Sequence, residues 1–150
     1  MIIDNEIITA SRKYHKKFRL IGQNHSIGDH DRSAKSLCLA WQNEVNNGID
    51  IFSEVCSSSK ANEMIDLIDS GERIAYELKM SGKNPHHEYY KDLCKVINYN
   101  ILNPDSPVKT FVFINEKSGV NEMIVRLSPE FIKEVSIKHL IEIKFGVLNP

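Results

Sequence analysis

The stretch that decides the fold is Met64–Met80, M-I-D-L-I-D-S-G-E-R-I-A-Y-E-L-K-M. Two runs of alternating character flank Asp69-Ser70-Gly71-Glu72, and Ser-Gly is a turn signal, so the stretch reads as a β-hairpin. With Ser70 and Gly71 as a two-residue loop, Asp69 faces Glu72, Leu67 faces Ile74 and Ile65 faces Tyr76. Ile65, Leu67, Ile74, Tyr76 and Leu78 form one apolar face. On the other face Asp66 lies opposite Ala75 and beside Glu77. The strand period of two puts Lys79 on the same side as Glu77. Asp66, Glu77 and Lys79 are therefore expected to converge on one patch.

Such a patch has a chemical consequence. Two carboxylates about 4 Å apart repel by roughly 1 to 4 kcal/mol, depending on screening. One lysine offsets part of that, and a divalent cation would offset more. Hard cations such as magnesium take oxygen ligands, often one or two carboxylates completed by water and phosphate. An aspartate followed by Glu-x-Lys on the next strand fits metal-assisted hydrolysis of a phosphodiester.

Asp66, ten intervening residues and then Glu77-Leu78-Lys79 on a hairpin resemble the PD-(D/E)XK nuclease superfamily, the fold of many restriction endonucleases. The order of helix, hairpin, helix and strand over residues 32–115 is similar too. The proline of the family's name is replaced here by Ile65. The resemblance implies an α/β fold with a restriction-endonuclease-like core, a central mixed sheet flanked by helices on both faces, and a site where the hairpin splays. It implies that Asp66, Glu77 and the Leu78 carbonyl bind Mg2+ or Mn2+. Lys79 would position water or stabilise charge at phosphorus. DNA is the expected polymer, with RNA not excluded. Small endonucleases of this fold often pair to cut two strands, which is compatible with a homodimer.

Composition sets bounds. A chain of 150 residues suits one domain with a real core, and 41% hydrophobic with 26% charged residues is ordinary for a globular protein. The net charge of -1 means that nucleic acid would meet a local basic patch rather than the overall field. No apolar run is long enough for a membrane span or signal peptide. Cys38, Cys56 and Cys94 are odd in number and lack C-x-x-C spacing, which argues for a reducing cytoplasm.

Outward from the hairpin, the N-terminal segment to Arg19 reads as a helix capped by Asp4, with Ile3, Ile7, Ala10, Tyr14 and Phe18 at spacings of three and four. Its other side carries Lys13, Lys16 and Lys17, either a solvated face or a phosphate-contacting edge. Residues 20–31 read as a loop. Its Asp29-His30-Asp31 run suits turn and cap roles better than a metal site. Arg32–Asn47 is a helix burying Ala34, Leu37, Cys38, Trp41 and Val45. Glu44 lies roughly 80° from the centre of that stripe. Members of the superfamily often carry a glutamate on this helix that reaches the metal, so Glu44 is a candidate. Glu54, on an expected strand from Ile49 to Cys56, is another.

After the hairpin, Asn84-Pro85 starts a helix expected to bury Tyr90, Leu93, Cys94, Ile97 and Ile101. Lys83 and His87 beside its start are candidates for contact with nucleic acid. His87 meets a phosphate at the helix N-terminus or packs near Tyr90. Val108–Asn115 has the continuous apolar character of an interior strand. The 116–150 region is expected to hold a loop at Gly119, a short strand over Met123–Leu127 and a helix capped by Ser128. Residues 140–147 are left unassigned.

Two other readings compete with the nuclease. One is a nucleic-acid-binding module that keeps the fold without catalysis, although clustered acids would repel phosphate. The other is an interaction protein in which these charges form a surface salt-bridge ladder.

Overall fold

A computed structural model describes residues 1–22, 27–59, 62–82 and 84–150, with the backbone alone given for 22 and 27–31. Helices α1 (Glu6–Gly22) and α2 (Ile27–Val45) come first. Strands β1 (Ile51–Cys56), β2 (Met64–Asp69) and β3 (Ile74–Leu78) follow as an antiparallel meander. Helix α3 (Pro85–Leu102) crosses over to β4 (Thr110–Asn115), which lies parallel to β3. Helices α4 (Lys117–Arg126) and α5 (Pro129–Lys138) lead to β5 (Glu142–Val147), parallel to β4. The sheet order is β1-β2-β3-β4-β5. The protein is thus α/β, with a five-stranded mixed sheet covered on both faces.

The covering follows from strand periodicity. Val112 and Ile114 point to the α1–α2 side with Leu67, Tyr76, Trp41, Ile8 and Phe18. Phe111 and Phe113 point the other way, to Tyr89, Leu93 and Val96 of α3 and Met123 of α4. Gly146 lets α1 approach the sheet, since a Cβ there would lie 2.9 Å from Ile8 Cδ1.

The hairpin register differs from the expected one. Leu67 pairs with Tyr76, Ile68 with Ala75 and Asp69 with Ile74, so the loop holds four residues, Ser70–Arg73. Asp69 does not face Glu72 across a tight turn. Its Oδ1 accepts the Glu72 N–H at 3.0 Å, and Arg73 closes the loop at φ 59°. The shift is by two residues, so Leu67, Ile74, Tyr76 and Leu78 keep one face, on the α1–α2 side. Ile65 does not: it packs on the α3 side with Ile68 and Ala75, beyond the point where the β1–β2 register skips Glu54–Asp66 and Glu54 stands at φ 50°.

Other expectations change as well. Asn5, not Asp4, caps α1, its Oδ1 accepting the Ile8 N–H. Helix α2 begins at Ile27, so Asp29-His30-Asp31 lies in a helix and not in a loop. Acidic residues near a helix N-terminus favour that outcome. Gly119 is no loop residue: it sits in α4, where a Cβ would lie 2.9 Å from Asn115 Cγ. Met123–Leu127 is not a strand, because Val120, Met123 and Leu127 recur at helical spacing and are buried together. Ser128 caps α5 as expected, accepting the Phe131 N–H.

Candidate active site

The β2–β3 ladder runs from the loop to Leu67–Tyr76 and no further. Beyond that pair the strands splay, and side chains take up the backbone groups there. Asp66 Oδ2 accepts the Leu78 N–H at 2.9 Å. Gln42 on α2 donates to the Asp66 carbonyl at 3.0 Å, and Lys95 on α3 donates to the Met64 carbonyl at 2.8 Å. Satisfying those groups lets the sheet open without stranded donors or acceptors. An open cleft of about 610 Å³ lies over the splay, within the usual size range of ligand sites. Lys35, Cys38 and Gln42 of α2, Glu54 of β1, and Asp66, Leu78, Lys79, Asn84 and Glu88 are among its walls.

Behind this wall lies a buried charge cluster. The Glu77 and Asp92 side chains have no exposed surface. Lys95 Nζ lies 2.6 Å from Glu77 Oε1 and 2.9 Å from Asp92 Oδ1. Lys79 Nζ lies 3.0 Å from Asp92 Oδ2, 3.1 Å from Glu88 Oε2 and 4.0 Å from Glu77 Oε2. The two ammonium groups are thus within hydrogen-bond distance of these buried carboxylates, Lys95 of both and Lys79 of Asp92. Asp66, Glu77 and Asp92 face the two ammonium groups of Lys79 and Lys95. One negative charge is in excess when all are ionised.

The electrostatics reflect that excess. Burial, reinforced by Asp66 and Asp92, holds the Glu77 carboxyl well above the usual carboxylate range. Burial also raises Asp66, against the pull of Lys79 and the Leu78 N–H. Burial lowers Lys79 and Lys95, but the surrounding carboxylates outweigh it and both end above the ordinary lysine range. Without a further cation, a proton on a carboxylate is the available means of neutralising the cluster. Among the described residues no group of three or more His, Cys, Asp or Glu side chains is arranged to hold a metal ion. What the splay offers is two carboxylates, Asp66 and Glu77, beside the Leu78 backbone. That donor set carries more negative charge than the nearby lysines neutralise, and by its chemistry fits an oxygen-seeking divalent ion completed by water or phosphate.

The structure brings together Asp66, Glu77, Leu78 and Lys79, and adds Glu54 at the cleft wall. It does not bring Glu44 there. Glu44 pairs with Lys13 and accepts from the Tyr14 hydroxyl on α1. The cleft-lining face of α2 is that of Lys35, Cys38 and Gln42, and Glu44 is well around the helix from it. The basic row of α1 is partly engaged. Lys13 is paired with Glu44, Lys17 lies over the Tyr14 ring, and Lys16 is exposed. His87 is exposed in the first turn of α3, and Tyr90 packs edge-on against Phe131 rather than on His87. Lys83 lies outside the described residues.

From sequence Lys95 reads as a surface lysine and Asp92 has no role, because the buried face expected for α3 lies one residue off the observed one. The face is Pro85, Tyr89, Asp92, Leu93 and Val96, whereas Tyr90 and Ile101 are exposed. The signal was Tyr89, Asp92 and Val96 at helical spacing, masked by the habit of assigning an aspartate to solvent. No family model, curated protein or solved structure matches this chain.

Proposed function

We propose that this protein is a metal-dependent nuclease hydrolysing DNA phosphodiester bonds, with a restriction-endonuclease-like core of the PD-(D/E)XK kind. The observation that carries the reading is the excess of carboxylate charge where β2 and β3 splay, beside an open cleft. A helix, an antiparallel meander and a parallel β3-α3-β4 crossover, in that order, also support it. Magnesium or manganese, held by Asp66, Glu77 and the Leu78 carbonyl, would supply an acidified water and charge stabilisation at phosphorus. Lys79 donates to the attacking water or to a non-bridging phosphate oxygen. Glu88 and Asp92 hold its ammonium at the cleft wall. Lys35 and Asn84 line the same cleft and offer donors to the neighbouring phosphates.

The alternative is an interaction protein whose charge cluster is structural. It is favoured by the pairing of Glu77 and Asp92 with lysines. Cleavage of supercoiled, linear and single-stranded DNA with magnesium, manganese or chelator separates the two. Metal-dependent cutting by wild type, absent in Asp66→Asn and Glu77→Gln, is the nuclease result. No cutting of any substrate with either metal leaves the structural cluster as the better account.

A further inference from the structure

The ammonium of Lys95 sits in a shell of oxygens. Glu77 Oε1 lies 2.6 Å from Nζ, Asp92 Oδ1 2.9 Å and the Met64 carbonyl oxygen 2.8 Å. Both carboxylates are wholly buried, and Lys95 meets one oxygen of each. Two carboxylates and a backbone carbonyl are also what a hard divalent cation takes. Lys79 differs: it borders the main cleft and stands 4.0 Å from Glu77. Lys95 reaches the surface at a second cleft, with Asn62, Lys91 and Asn98, which among the described residues shares no wall residue with the first.

We propose that Lys95 is a built-in cation: its ammonium fills a divalent-cation position formed by Glu77, Asp92 and the Met64 carbonyl. By holding Glu77 Oε1 it leaves the place between Asp66 and Glu77, behind the cleft wall, to one exchangeable metal ion, a last step that rests on the nuclease reading. The position itself is defined by residues 64, 77, 92 and 95 alone. Removing the lysine side chain leaves two buried carboxylates facing a vacated space that opens to the second cleft. A divalent ion is the species that enters it, since Lys79, 3.0 Å from Asp92 and 4.0 Å from Glu77, offsets only one of two adjacent buried anions.

The test is Mn2+ binding followed by electron paramagnetic resonance of the free ion, on wild type, Lys95→Ala and Lys95→Met. Lys95→Ala should bind one Mn2+ more per chain than wild type. Lys95→Met should gain none, because its side chain fills the place without charge. Adding Asp92→Asn to Lys95→Ala should remove the extra ion. If Lys95→Ala does not fold in chelator, Mn2+ should restore a cooperative melt followed by circular dichroism. An unchanged stoichiometry in a folded Lys95→Ala overturns the proposal, as does a Lys95→Ala that stays unfolded with Mn2+. An extra ion in Lys95→Met overturns it too. If wild type binds no Mn2+ and Lys95→Ala binds one, the Lys95 position stands and the nuclease reading falls.

Discussion

Asp66 accepts the backbone N–H of Leu78 on Oδ2 at 2.9 Å, just past Leu67–Tyr76, where the β2–β3 ladder ends. One carboxylate thus does two things. It satisfies a donor that the splay would leave open, and it stands beside the Glu-Leu-Lys segment at the cleft wall. The same bond makes the site testable, because an asparagine can still accept that N–H while lacking the charge.

Asp66→Asn should fold and lose cleavage, and Glu77→Gln should behave alike. Both should bind DNA as well as wild type or more tightly, since each removes negative charge beside the phosphate. Cleavage and electrophoretic mobility measured in parallel check this. Retained cutting in either variant would refute the assignment.

Metal should stabilise the wild type through these residues. A divalent ion bound only to the folded state adds about 2.7 kcal/mol at a hundredfold excess over Kd. Thermal melts with and without magnesium or manganese should show the gain in wild type and not in the double variant Asp66→Asn, Glu77→Gln. Equal gains in both would place the ion elsewhere.

Stability in chelator should fall as pH rises above the ordinary carboxylate range. Glu77 and Asp66 both have folded pKa values raised above their unfolded ones, so the folded state binds more protons. That stabilisation is fully present below the unfolded pKa, near about 4 for carboxylates. It is lost as pH rises through the raised folded values. Urea unfolding from acid to neutral pH should show this decline in wild type and a flatter profile in the double variant. Divalent metal should flatten the wild-type profile by taking the place of the proton.

Asp92→Ala should destabilise, but by less than the about 3 to 5 kcal/mol of a buried ion left unpaired, because Lys95 keeps Glu77 and Lys79 keeps Glu88. Urea denaturation gives the value. A loss well under 1 kcal/mol would mean that these ion pairs are not the tie between α3 and β3.

Changing Lys16 and Lys17 to alanine should weaken DNA binding on all sequences. Each lost phosphate contact lowers the salt slope by about 0.7 to 0.9. Lys13→Ala should act less on DNA, since its ammonium is already paired with Glu44. An unchanged salt slope in the Lys16, Lys17 variant would show that α1 is no phosphate-contacting edge.

The stretch Met64–Met80 by itself determined that a hairpin forms and that Asp66, Glu77 and Lys79 share a neighbourhood. A strand's two-residue period survives an error of two in loop length, so Leu67, Ile74, Tyr76 and Leu78 share a face despite the longer turn, whereas Ile65, past the break in pairing, lies on the other side of the sheet. The apolar run of β4 likewise announced an interior strand. Local pattern failed where partners come from far along the chain. Residues 142–147 do alternate, E-I-K-F-G-V, but the local pattern does not say which strand they join, and parallel pairing with β4 makes them β5. Glu44 goes to α1 because Lys13 and Tyr14 are there to receive it. Asp92 and Lys95 enter the site because burying Tyr89 turns that side of α3 toward β3, where Glu77 already needs a cation. Only the tertiary structure decided that, because the free energy of a buried charge depends on the groups packed around it rather than on its neighbours in sequence.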